Sequence, residues 1–179
     1  MAVSTIDNSG ISASAAISTS KLGTGAVLQV QSTYLTSATQ LTSGGALHEL
    51  STSLRVSITP ILATSILYFD VFGSFMYPNS TTLQYAAIYD VTNSAYVNLP
   101  PANGSRQRVH WVNRTAPFDV NDANSMNFSI TVANTNTTAR TYTVYHGTES
   151  ALAQFLSSTL SSSAGVTMPL MFKVTEVAA

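Results

Sequence analysis

The chain has 179 residues, 8% of them charged, with a formal net charge of −1 and no cysteine. That balance offers no electrostatic pull toward nucleic acid or an anionic membrane surface, and the missing thiols exclude disulfides, cysteine nucleophiles and thiolate metal sites. Ser and Thr supply roughly a quarter of the residues, whereas an ordinary soluble domain has about that share of Asp, Glu, Lys and Arg.

A surface wetted by hydroxyls and amides lacks the charge repulsion that holds monomers apart, so the composition points to assembly before it points to chemistry. A chain of this length fits one domain with a substantial core. No run reaches the ~18 apolar residues of a membrane span. The first twenty residues have neither the basic start nor the apolar core of a signal peptide, so the expectation is synthesis and folding in a cytoplasm.

Residues 1–24 are small, polar and short of aromatics, and they cannot bury enough apolar surface to order themselves. They read as an extended arm for attachment or interlock, with Val3, Ile6, Ile11, Ile17 and Leu22 as its apolar contacts. The domain proper is expected over 25–179.

From Ala26 onward, β-branched and aromatic residues come in short runs divided by Gly, Pro, Asn and Ser. Strands are predicted over 26–36, 46–59, 65–76, 83–91, 107–115, 126–134, 140–146 and 166–177. Period-two alternation is clearest at Leu54, Val56 and Ile58 and at Phe128, Ile130 and Val132, which gives each of those stretches one dry face. Within 149–160, Leu152, Phe155, Leu156 and Leu160 fall at helical spacing behind Thr148 and Ser150, so that stretch is either one short helix or an ordered loop. Pro169 belongs at an edge or a bulge, because it cannot donate to a ladder.

About eight short strands without alternating helices predict an all-β antiparallel sandwich of jelly-roll type. The expected core comprises Val27, Leu28, Leu54, Val56, Ile58, Leu67, Phe69, Ile88, Trp111, Phe128, Ile130, Val132, Tyr142, Val144, Met171 and Val174.

Chemistry-bearing patterns are sparse. His48, His110 and His146 lie on three separate predicted strands with no nucleophile elbow around them, and they read as structural or surface residues. Asp119, Asn121, Asp122 and Asn124 offer oxygen ligands to a hard cation but lack the glycine and distant glutamate of a calcium loop; a turn between strands needs the same residues.

Arg106, Arg108 and Arg114 stand with His110 and Trp111 in one short stretch, where arginine beside an aromatic ring suits a sugar, a phosphate or an acidic loop of a partner. As a strand, positions 106, 108, 110, 112 and 114 would share one face, and a solvated face is the plain alternative. No catalytic, metal or cofactor residue is assigned.

Three segments in order, GAVLQV with Ser32 and Thr33 (25–33), LRVSITP (54–60) and MFKVTEVAA (171–179), resemble distal domains of phage tail-fibre and virion surface proteins. ISASAAISTSKLGTG (11–25) is similar to the link that joins fibre shafts to such domains. The resemblance implies a virion component with a β-sandwich, often trimeric, and no catalytic residues to transfer.

With about twenty residues ahead of the domain, the sequence departs from the fibre pattern, where a shaft precedes the head. That favours a compact protein fixed directly to a particle. The first expectation is therefore a homotrimeric capsid decoration or cement protein on the virion surface, with the major capsid protein as partner. The second is a short tail fibre or receptor-binding head, held by a tail component and reading a host-surface glycan through aromatics such as Tyr77, Tyr96 and Trp111. An enzyme ranks third.

Overall fold

The computed structural model of the protein describes residues 23–35, 39–41, 46–76, 82–115, 123–149, 153–155 and 170–179. The arm residues Val3, Ile6, Ile11, Ile17 and Leu22, the possible ligands Asp119, Asn121 and Asp122, and Tyr77 and Pro169 lie outside the described residues.

The first sheet places β1 (Val27–Tyr34), β14 (Met171–Val177), β5 (Ile66–Phe72) and β11 (Phe128–Ala133) side by side in that order, every pair antiparallel. In the second sheet, β3 (His48–Glu49) and β4 (Val56–Ile58) share one edge of β12 (Arg140–Thr148). β12 pairs with β7 (Thr82–Asp90), whose far edge carries β8 (Ala95–Tyr96) and β9 (Trp111–Thr115).

Numbering β1, β4, β5, β7, β9, β11, β12 and β14 from one to eight, the sheets run 1-8-3-6 and 2-7-4-5. The antiparallel pairs 1·8, 2·7, 3·6 and 4·5 are those of one long hairpin wound around itself, which is a jelly roll. The fold class read from strand count and turn chemistry is the one observed.

Four shorter strands, β2 (Thr39–Leu41), β6 (Ser74–Met76), β10 (Ala123–Ser125) and β13 (Ala153–Phe155), form a third ladder in the order β10-β6-β13-β2. It repeats the order of the first sheet and continues it past a break at Gly73. Gly73 sits where an added Cβ would overlap Leu170, and its carbonyl accepts the Met126 N–H at 2.8 Å. Of the 149–160 stretch read as helix or loop, Ala153–Phe155 is a strand that pairs with both β2 and β6, and 150–152 and 156–160 lie outside the described residues.

The core follows strand alternation where it is cleanest. Val56 and Ile58, Leu67, Phe69 and Val71, and Phe172 and Val174 point between the sheets and are buried. Phe69 sits centrally, edge-on to Tyr142 at 4.8 Å and stacked with Phe172 at 6.4 Å between centroids.

Several sequence expectations move. Val27 is 59% exposed, because the pairing slips between Val27 and Gln29 and turns it to the outer face. Met171 is likewise on the outer side of β14, since Phe172 takes the inward position. Trp111, Phe128, Ile130 and Val132 pack on the core from partly buried positions, and Leu28 is half-buried.

The strand expected over 46–59 is interrupted by a 3-10 turn, Thr52–Leu54, whose cap Ser51 accepts the Ser53 N–H at 3.2 Å. Leu54 is nevertheless fully buried.

At the end of the sandwich where the chain termini meet it, the buried Glu176 carboxylate organises the 59–65 connection. It accepts the N–H groups of Ile61 at 2.9 Å and Leu62 at 3.0 Å, and Gln29 Nε2 at 2.6 Å. Burial by itself raises this carboxyl's pKa, and the hydrogen bonds from Gln29, Leu62, Ile61 and Ser65 more than offset it, leaving it below its ordinary value. This acid is a structural anchor.

Candidate assembly and binding surfaces

The arginine-rich stretch is mostly loop. Regular pairing begins at Trp111, so residues 106–110 do not share a strand face. Arg108 donates through Nε to the Pro100 carbonyl at 2.6 Å and through Nη2 to that of Leu99 at 3.3 Å, stapling the 91–110 connection to itself.

His110 turns inward. Its backbone N–H reaches the Ala86 carbonyl at 2.9 Å, and its Nδ1 accepts the Ile88 N–H at 3.0 Å. Burial lowers its pKa, partly offset by the backbone at Asn98 and Val97, so the imidazole is held as the neutral acceptor that the Ile88 bond requires. Trp111 packs on the core, and Arg114 occupies the β9 position opposite Leu83.

Of the five residues, Arg106 lines a cavity. The space is about 550 Å³, floored by Leu83, Tyr85, Val109 and Val112, with Arg106 and Glu149 in its wall. That volume is within the range of small-ligand pockets. Gly147 makes the floor possible: an added Cβ there would overlap the Tyr85 ring and the Ala46 carbonyl. Tyr85 in turn donates to the Thr148 carbonyl at 3.3 Å.

Beside the cavity, Tyr89 stacks on Tyr145 at 4.3 Å, and Tyr96 meets the two edge-on at 5.0 and 5.8 Å. Sequence reading missed Tyr85, Val112 and Glu149. For Tyr85 the available signal was the unbroken apolar run 85–89 (YAAIY), which marks a strand covered on both faces rather than one with a wet side.

Buried His146 belongs to the core. Burial alone pushes its pKa down to about 3, so it is neutral across the physiological range. His48 is exposed on β3, in register with His146 on β12. Among the described residues no group of three acids or histidines could hold a metal ion, and no helix is long and apolar enough to cross a membrane.

A larger surface lies on the outside of the first sheet. Register places Tyr34, Met171 and Phe72 in one row, then Ser32, Lys173, Asp70 and Ser129, then Val30, Thr175, Tyr68 and Thr131, and last Val27, Val177, Ile66 and Ala133. Val27, Val30, Tyr34, Tyr68 and Phe72, five of the seven exposed large apolar side chains among the described residues, share this face. Its charge is internally cancelled: Lys173 Nζ lies 2.9 Å from Asp70, which also accepts the Ser129 hydroxyl at 2.6 Å. The Lys173 ammonium stands 5.8 Å above the Phe72 ring.

No protein-family profile matches the chain, and no curated protein does. Among solved structures it is similar to a chain in "Structure of infectious bursal disease virus Gx strain", at 13% identity and a TM-score of 0.32, over 86% of this chain and 38% of that one. The protein thus spans well under half the length of that viral chain.

Proposed function

We propose that the protein is a virion structural protein, a homotrimeric decoration or cement protein fixed to the surface of a phage capsid. The observation that carries this reading is the clustering of exposed Val27, Val30, Tyr34, Tyr68 and Phe72 on one sheet face of a jelly roll. Single exposed apolar side chains are ordinary, whereas a contiguous face of them marks a contact surface. The scarcity of charge suits neighbours matched by shape, and jelly rolls serve in viral capsids as well as in lectins. Sequence resemblance to virion surface domains points the same way.

Contacts with few ions are little affected by screening, so attachment to the particle survives ~1 M NaCl, where the Debye length is about 3 Å. Release of the protein by such a wash, followed by gel analysis of the stripped particles, overturns the reading.

The cavity at Arg106 favours a second reading, a receptor-binding head that recognises a host glycan. Arg106→Ala tests it: loss of glycan or cell binding with an unchanged melting temperature supports this role, and unchanged binding removes it. Arg108→Ala is a poor probe, because that side chain staples its own loop.

A further inference from the structure

We infer that the outer face of the first sheet is covered by the N-terminal segment of this chain, residues 1–22. Three observations meet here. The face is small: four strands of about seven residues span roughly 19 by 23 Å, on the order of 440 Å². That is about half of what each partner contributes to a standard interface between proteins, so the face fits a segment better than a whole globular surface.

The segment has a matching pattern. Over residues 11–18 (ISASAAIS), Ile11, Ala13, Ala15 and Ile17 alternate with Ser12, Ser14, Ala16 and Ser18, the period of a half-buried strand. Eight extended residues span about 26 Å, enough to cross the face along its longer side of roughly 23 Å. Its formal charges are Asp7 and Lys21, which suits a surface whose ion pair is satisfied from within.

The segment also departs at the right place. The Gly25 N–H donates to the Ala178 carbonyl at 2.8 Å, beside Val27 at the corner of the face, and its φ of +88° is one that glycine adopts without strain. In the trimer of the proposed function, the same contact made onto a neighbouring copy is the interlock of the arms. The inference deepens that reading.

Lys21 is the one tryptic site ahead of Arg55, so cleavage after it reports whether the segment is held. In the full chain, Tyr68→Glu with Phe72→Glu should speed cleavage about tenfold or more, because the protease samples the released state. Ile11→Asp with Ile17→Asp should do the same, and the four changes together should add little to either pair. Melting temperature checks that the face variants fold, and Phe72→Glu alone serves if the pair does not.

Equal cleavage of wild type and face variants overturns the inference, as do independent, multiplying effects of the two pairs. Face variants that leave Lys21 cleavage unchanged but detach the protein from particles also overturn it, and they leave the proposed function standing. A wild-type chain that is monomeric at every concentration removes the trimer, while coupling between face and segment would still be read.

Discussion

His146 and Glu176 both contribute to the acid response, and His110 acts in the same direction as His146. Folded His146 titrates near 3 and unfolded histidine near 6.5, so the folded state loses stability as pH falls from 6.5 toward 3, by up to about 1.4 kcal/mol per pH unit. Glu176 has the opposite origin and the same direction. Its folded pKa lies below 4.5, so its contribution is present above 4.5 and is lost as pH falls through the lower folded value. Urea titrations across pH should therefore show a slope beginning near 6.5 and steepening below 4.5. His146→Leu should reduce the slope in the first window to the part that buried His110 contributes, and leave the second; an unchanged slope between 6.5 and 4.5 would contradict the account.

Gly147 is the other decisive residue. Because the Ala46 carbonyl is backbone and cannot turn aside, Gly147→Ala should cost about 1–3 kcal/mol in chemical denaturation. Neither residue's environment was legible in the sequence. The buried position of His146 follows from its register beside Ala86, and the need for glycine at 147 follows from the Tyr85 ring lying across it.

Among the elements, strand existence and fold class were readable because β-branched residues, short runs and turn residues all agree. Facing was readable only where alternation is clean, as in Val56 and Ile58 or Leu67 and Phe69. Adjacent Val27 and Leu28 cannot both point inward on a regular strand, nor can Met171 and Val174, three positions apart; the bulge in β1 and the inward Phe172 decide those cases. Residues 107–110 look like strand by composition, yet the hydrogen bond from the Ile88 N–H to His110 Nδ1 and the Arg108 staple hold them as loop. Such long-range contacts leave no periodic mark. At this scale Phe69→Ala, at the fully buried centre, should cost about 3–5 kcal/mol. Phe128→Ala, on the partly buried β11, should cost about 1–2 kcal/mol. Equal losses measured by equilibrium unfolding would show that β11 is as central as β5.

The molecule as a whole is a jelly roll whose two outer faces differ. The second sheet is cushioned by Leu47, Tyr85, Ala87 and the tyrosine cluster, and it carries the cavity at Arg106; the first is apolar around one internal ion pair and is the face inferred to take an N-terminal segment, a neighbour's in the proposed trimer. A neutral, hydroxyl-rich chain with such a face is suited to repeated neighbours, and a particle surface supplies them. The most direct test is the copy number of this chain in purified particles after a wash in ~1 M NaCl, by quantitative mass spectrometry against the major capsid protein. The account predicts hundreds of copies per particle; a dozen or fewer would place the protein on a tail, and its absence from particles would contradict a virion role altogether.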